Sequence, residues 1–528
     1  MTRDLAVRPY NEAMTAPSRV ERPFSGVHRP VAWLAVALVL AATVAVLHGP
    51  SRSLALTGDS YQWIQHAHAA SYRPVLLLVD LDTFLRPSTT WTLALDRIVW
   101  GGFEAPGFRT TSLALHFLAA LALAAAGRRL GLGLPAAAAV ALVWATSPFT
   151  DESVFVVAYR FQPLLLIAWL VLIAVWPGPD EGWPRWRIGL ASLAVIAAAA
   201  AKETWVVTPA LVFALELDRR RAFRRALRPA VMVAAAVATY VALYFLAFPS
   251  GKTYYVLGDH VLARIPSQLA AFLYLDEPMP FELSLTWVSV LATAAVALAA
   301  VLCLRWRVRG TWTALALMLL PTLPTLLVPY MPQRYLAIPY AGFLLLVALL
   351  VNAAAERTPR WRGWVRATAV LAAALVIAAG AALVRADLVD YRALAAAHTR
   401  VLDEARAVAG TVAAGAPTVV VRDERLHPLL EIMSDPAGLP KLPYTRREDP
   451  AGLIDAAALF EWVLAEEGTG VRHVVDWRSS LAGAPGRLLV HREAGFENRG
   501  PVVDVAAEGT RWQGSGRPVR VIRTEALD

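Results

Sequence analysis

The sequence predicts a polytopic α-helical membrane protein, on three observations. Apolar residues make up 57% of the 528 and the mean hydropathy is +0.49, well beyond a soluble globular domain. Apolar runs of about span length recur between residues 31 and 384. Arginines cluster in every second connection between those runs, as the positive-inside rule requires of cytoplasmic loops. The pI of 9.8 would suggest nucleic acid in a soluble chain. Here the basic residues lie between apolar runs and set topology, so nucleic acid is excluded and the expected partner is the bilayer. The single cysteine, Cys303, can form no intrachain disulfide.

Taken in order, residues 1–30 form an arginine-bearing cytoplasmic tail, and Val31–Leu47 crosses outward and stays as an anchor. A first external loop, 48–109, precedes Thr110–Gly127, which returns to Arg128 and Arg129. Further crossings are expected at Pro135–Thr146, Phe161–Trp176, Ile188–Ala201, Thr204–Leu217 and Ala230–Phe248. A second large external loop, 249–284, leads to crossings at Leu285–Leu304, Trp312–Val328, Pro339–Val351 and Thr368–Val384. The total is about eleven, with the N-terminus inside and the C-terminus outside. Residues 31–384 form the transmembrane domain. Residues 385–528 are polar and carry an amphipathic run, Tyr391–Ala409, with β-like runs at Thr418–Val421, Val471–Trp477 and Arg487–His491. They read as a small external α/β domain.

The first loop is too long for a plain connection and too apolar for disorder. It offers Asp59 in Gly58-Asp59-Ser60-Tyr61, then Asp80, Asp82 and the amphipathic run Trp91–Trp100, whose terminal tryptophans read as interfacial anchors. Charges are costly at membrane depth and persist where they pair or line an aqueous cavity. On the external side they fall at Asp59, at Asp151-Glu152 with Arg160, at Lys202-Glu203 and at Gln333-Arg334-Tyr335. Ile188–Ala201 would be only about 21 Å long at the helical rise, against a core of about 30 Å, so the Lys202-Glu203 tip should sit below the membrane surface. An arginine stiffened between prolines, as Arg334 is, suits a phosphate. The competing reading of each pair is a structural salt bridge or a snorkelling side chain. His116, inside the second span, reads equally as a hydrogen-bonded packing residue.

These motifs resemble the GT-C membrane glycosyltransferases, in particular the protein O-mannosyltransferase-like branch with its transmembrane and tetratricopeptide-repeat members. Arg86-Pro87, Asp96, Trp100-Gly101, Pro106-Gly107-Phe108 and Leu115-His116 are similar to that branch's Arg-Pro, Trp-Gly, Pro-Gly-Tyr and Leu-His run. Pro148, Glu152 and Arg160 match its next elements, Lys202-Glu203 its Lys-Glu, and Arg334-Tyr335-Leu336 with Pro339 its Arg-Tyr-Leu-x-x-Pro. The resemblance spans 31–384 and implies a GT-C-like bundle of a bacterial inner membrane, with a polyprenyl-phosphate-linked sugar as donor and a hydroxyl on a lipid, glycan or protein as acceptor. It implies inversion by single displacement, with Asp59 as base and Glu152 orienting the acceptor or the base. Arg334 and Lys202, with Arg160, would hold the phosphate, and Glu203, Gln333, Tyr335 and His116 would support them. This chain departs from the pattern: Gly58 stands where the family often has a second acid, Ser147 and Thr150 replace histidines, and Gln162 replaces an aspartate. One carboxylate is a poor divalent-cation site, so no metal ligand is assigned and a cofactor, a divalent cation included, stays open. No tetratricopeptide repeats are present. Two other classes compete: a multi-pass transporter or lipid flippase, which would carry inverted repeats that the sequence does not show, and a catalytically inactive scaffold of the same fold.

Overall fold

The computed structural model describes residues 28–57, 60–72, 86–101, 105–178, 181–247, 258–275, 285–328, 331–409, 418–421, 486–492, 495–502, 504–506, 509–514 and 517–520. Asp59, Asp80, Asp82, the run Val471–Trp477, most of the tail 1–30 and parts of the second loop lie outside them.

Each expected crossing is matched by a helix: α1 His28–Leu47, α4 Ala105–Arg129, α5 Leu134–Ala145, α7 Phe161–Val175, α8 Arg185–Ala201, α9 Thr208–Arg220, α10 Phe223–Ala247, α12 Trp287–Arg305, α13 Thr311–Leu319, α14 Ala337–Arg357 and α15 Arg362–Ala409. Among the described residues, seven helices are long and apolar enough to cross a membrane, namely Pro30–Leu47, Ala105–Arg129, Val157–Val175, Phe223–Ala242, Trp287–Arg305, Ala337–Arg357 and Pro359–Ala393. One of the shorter ones has a visible cause. α13 stops where Pro321 and Pro324 enter and force a 3₁₀ turn over Leu320–Thr325. Outward faces carry Leu34 and Leu38 on α1, Leu291 and Leu298 on α12, and Leu371 and Leu375 on α15. A water-soluble protein would make these faces polar.

Between these helices lie α2 Ser60–Tyr72, α3 Pro87–Trp100, α6 Glu152–Phe155 and α11 His260–Phe272, so both large loops contain helices. The expected break at 384/385 is a difference: residues 385–390 hold no proline or glycine, and α15 runs unbroken for 48 residues. At the helical rise that is about 72 Å, more than twice a bilayer core. Beyond it, β1 Thr418–Val421 pairs parallel with β2 Gly486–Arg492, and β2 pairs antiparallel with β3 Gly495–Val502. The strands β4 Asp504–Ala506, β5 Gly509–Gly514 and β6 Arg517–Arg520 make a second, antiparallel sheet.

Connectivity sorts the charges to two ends. At one end Arg129 donates to the Trp176 carbonyl at 2.6 Å and pairs with Glu181, Arg219 reaches the Gly178 carbonyl at 3.0 Å, and Arg357 the Trp306 carbonyl at 2.7 Å. The starts of α4, α7, α9 and α14 and the end of α8 therefore share the opposite end, where the candidate residues fall.

Close packing of α13 on α14 depends on Gly342, where an added Cβ would lie 2.3 Å from the Met318 nitrogen. Gly342→Ala is expected to cost about 1–3 kcal/mol by overpacking, read as a lowered thermal midpoint in detergent. Gly363→Ala, with open space around it, should leave the midpoint unchanged; equal effects would overturn the packing account.

Candidate functional site

The site is built around a helix break. After Ala201 the backbone turns extended at Lys202 (φ −163°, ψ 149°) before a 3₁₀ turn over Glu203–Val207. The break aims Lys202 inward, where it is 5% exposed, with Nζ 4.5 Å from the Tyr335 ring centroid and 5.1 Å from that of Phe161. Glu203 takes Arg86 through two bonds of 3.2 Å. Arg86, the residue before α3, lies over Phe161 at 3.9 Å. Lys202 itself has no carboxylate within ion-pair distance among the described residues. Burial, and then the Arg86 charge, hold its ammonium well below the ordinary lysine range.

Tyr335 gathers two more cations. The Arg334 guanidinium lies 5.3 Å from its centroid and 4.2 Å from that of Tyr159. Glu152 fixes Arg334 by accepting from its main-chain N–H at 2.9 Å and pairing with its guanidinium. Arg264 on α11, 1% exposed, stands 5.9 Å from the same ring and donates to the Val328 carbonyl at 3.3 Å. Among the described residues, four cations, Arg86, Lys202, Arg264 and Arg334, stand with the carboxylates of Glu203 and Glu152. A gathering of cationic side chains around half-buried aromatic rings can hold a phosphate.

Of the expected residues, Glu152, Lys202, Glu203, Arg334 and Tyr335 come together, with Gln333 beside Arg334 in the same 3₁₀ turn. Two expectations are corrected. Arg160 is fully buried in a 2.5 Å pair with Asp96 and donates to Ser112 Oγ at 3.1 Å and to the Phe108 carbonyl. Its charge is neutralised where it stands, so it ties α3, α4 and α7 together instead of facing a ligand. His116 lies about 16 Å along α4 from its start, by the helical rise. It stacks on Trp144 and donates from Nε2 to the Ala145 carbonyl at 3.1 Å, as His48 also does. It is a packing residue. Asp59 lies outside the described residues.

Arg86 and Arg264 enter the cluster without having been assigned to it. Arg86 stood in the quoted Arg-Pro motif. Arg264 had one available signal, a lone arginine on the amphipathic stretch 260–272 inside a loop. Among the described residues no three His, Cys, Asp or Glu side chains gather to hold a metal ion.

No protein-family model matches the chain, and no curated protein matches it. Two solved structures are similar: ArnT from Cupriavidus metallidurans in the apo state (TM-score 0.49) and the same protein bound to undecaprenyl phosphate (TM-score 0.48). Each is 13% identical and covers 88% of this chain and 93% of that chain. With TM-scores below 0.5 this is a likeness of overall shape, and the functional reading rests on the site.

Two outcomes follow from the geometry. Asp96→Asn leaves Arg160 buried with no counter-charge, an expected loss of about 3–5 kcal/mol, seen as reduced detergent-stable monomer. Asp218→Asn, at a cap on α13, should cost less, and the reverse order would contradict the assignment. The depressed Lys202 ammonium carries charge below its pKa and loses it as pH rises. Phosphate-ligand affinity should therefore fall on the alkaline side at a pH below ordinary lysine titration, about 10.4, and Lys202→Arg should flatten the profile; an unchanged profile would separate Lys202 from the phosphate.

Proposed function

We propose that this membrane protein is an inverting glycosyltransferase, moving a sugar from a polyprenyl-phosphate donor to a hydroxyl acceptor at the Tyr335 cluster, on the external face of a bacterial inner membrane. The observation that carries the reading is Lys202, a buried amine set against rings, with no carboxylate within ion-pair distance among the described residues, and beside three arginines. Such a group is poised for an anion brought by a ligand. The donor phosphate would sit among Lys202, Arg334 and Arg264, with Arg86 adding charge from α3. As the glycosidic bond breaks, negative charge accumulates on that phosphate, and preorganised cations stabilise it most at that moment.

Asp59 is the proposed base, taking the acceptor proton as the sugar carbon gains oxocarbenium character; attack from the face opposite the phosphate inverts the anomeric centre. The support for it is sequence position: it lies in the loop whose start is tied to the same end of the bundle. Glu152 acts here through Arg334, since both of its oxygens are committed to that residue. Residues 385–528 are proposed as an external domain that follows the long α15 away from the bundle.

The reading is tested by incubating membranes that contain the protein with radiolabelled polyprenyl-phosphate sugars and following label into acceptor. Asp59→Asn should lower transfer by about 10²–10⁴, while Lys202→Met and Arg264→Met should raise the donor KM. Retained transfer in Asp59→Asn removes the base. Label that crosses the membrane uncleaved would instead favour a transporter.

A further inference from the structure

At the end of the bundle away from the Tyr335 cluster, α1 and α4 leave a groove between them. It has a volume of about 450 Å3 and is lined by Trp33, Leu34 and Ala37 of α1 and by Leu121 and Ala125 of α4. Farther along, α1 turns Leu40 and Val44 into the bundle. In its first turns Trp33 and Ala37 are only half-buried, and Leu34 is 59% exposed. No charged side chain lines the groove, and both helices are long and apolar enough to be spans, so its walls face lipid.

The groove has a charged end. At 100° per residue Leu121, Ala125 and Arg128 fall on one stripe of α4, and Arg128 stands about 4.5 Å beyond Ala125 along the axis by the helical rise. Arg128 is exposed and donates from Nη1 to the Leu132 carbonyl at 2.9 Å. Among the described residues it has no carboxylate within ion-pair distance. Its neighbour Arg129 differs, since Glu181 takes that guanidinium. On α1, the position one turn before Trp33 is Arg29. An apolar channel at acyl depth that ends in a cation matches the order of parts in a phospholipid, a chain and then a phosphate.

We infer that the groove between α1 and α4 is a binding site for one anionic phospholipid of the leaflet at the basic end. An acyl chain lies along Trp33, Ala37, Leu121 and Ala125, and the headgroup phosphate meets Arg128. Charge complementarity decides the occupant. A helix from a second copy could cover the apolar walls but would set no anion against Arg128, and a zwitterionic lipid brings its own ammonium to the same place. The site lies at the opposite end of the bundle from the Tyr335 cluster and does not depend on the function proposed above.

The full chain in mild detergent, given equimolar phosphatidylglycerol and phosphatidylethanolamine of matched chains, reports the site by native mass spectrometry. One phosphatidylglycerol should be retained with roughly fivefold preference, the discrimination that one arginine supplies beside an anionic lipid. Arg128→Gln should abolish the preference, whereas Arg305→Gln, which removes an exposed charge at the end of α12, should preserve it. Ala37→Leu with Ala125→Leu fills the groove and should lower retention of both lipids together. In the unaltered protein, phosphatidylglycerol with a photoreactive acyl chain should crosslink within 33–37 and 121–125. Equal retention of the two lipids, a preference that survives Arg128→Gln or is lost equally in Arg305→Gln, or crosslinks confined to other helices would overturn the site. Dimers that vanish when the groove is filled, with lipid retention unchanged, would make the occupant a second copy and overturn it as well.

Discussion

Three positive side chains, Lys202, Arg264 and Arg334, stand around one tyrosine ring with Arg86 over the neighbouring Phe161; they repel each other, and much of the surrounding structure serves to keep them there. Two of the repulsions are relieved by carboxylates, Glu203 on Arg86 and Glu152 on Arg334. The rings of Phe161, Tyr159 and Tyr335 present their negative faces to the guanidinium and ammonium groups. Lys202 is set against the rings of Tyr335 and Phe161, and burial, then the Arg86 charge, lowers its affinity for a proton. An anion placed there would favour its charged form.

The cluster can exist only because the bundle sorts polarity along its length. A buried helix end leaves carbonyls without partners, and α5 ends inside the protein at Ala145. His48 and His116 both donate to that carbonyl from Nε2 at 3.1 Å, which satisfies the helix end with neutral groups and keeps formal charge out of the middle of the bundle. Arg160 and Asp96 do the same work nearer the boundary with a paired charge.

The fold was legible where apolar length decides it: each of the eleven expected segments overlaps a helix, and among the described residues seven helices are long and apolar enough to cross a membrane. What was not legible came from competition between local signals. The stretch 260–272 fell within the expected loop 249–284 and contains Pro266, yet it forms α11. The polar onset at Arg385 suggested a domain boundary, but polarity does not end a helix that lacks a breaker. In the site, Lys202-Glu203 and Arg334-Tyr335 were readable because charge beside an apolar span needs an explanation. Arg160 fitted the same logic and was misassigned, since its partner Asp96 lies 64 positions away in sequence and no local pattern joins them. Arg264 was missed for the same reason: its place beside Tyr335 is set by tertiary packing of α11.

A base in the first loop would need a fixed position, and the chain on both sides of Asp59 has one. Arg109, 1% exposed on α4, donates to the carbonyls of Leu54 at 3.1 Å and Ala55 at 2.5 Å, and to that of Phe155. One guanidinium thus joins the start of the loop to the segment that carries Glu152. Just downstream, Tyr61 Oη donates to the Leu56 carbonyl at 2.8 Å, and Ser60 Oγ to that of Thr57 at 2.6 Å. These bonds are local or made to backbone, so they hold irrespective of the side chains that the loop presents. The consequence is that α4 holds the start of the loop through its main chain, whatever side chains the loop presents.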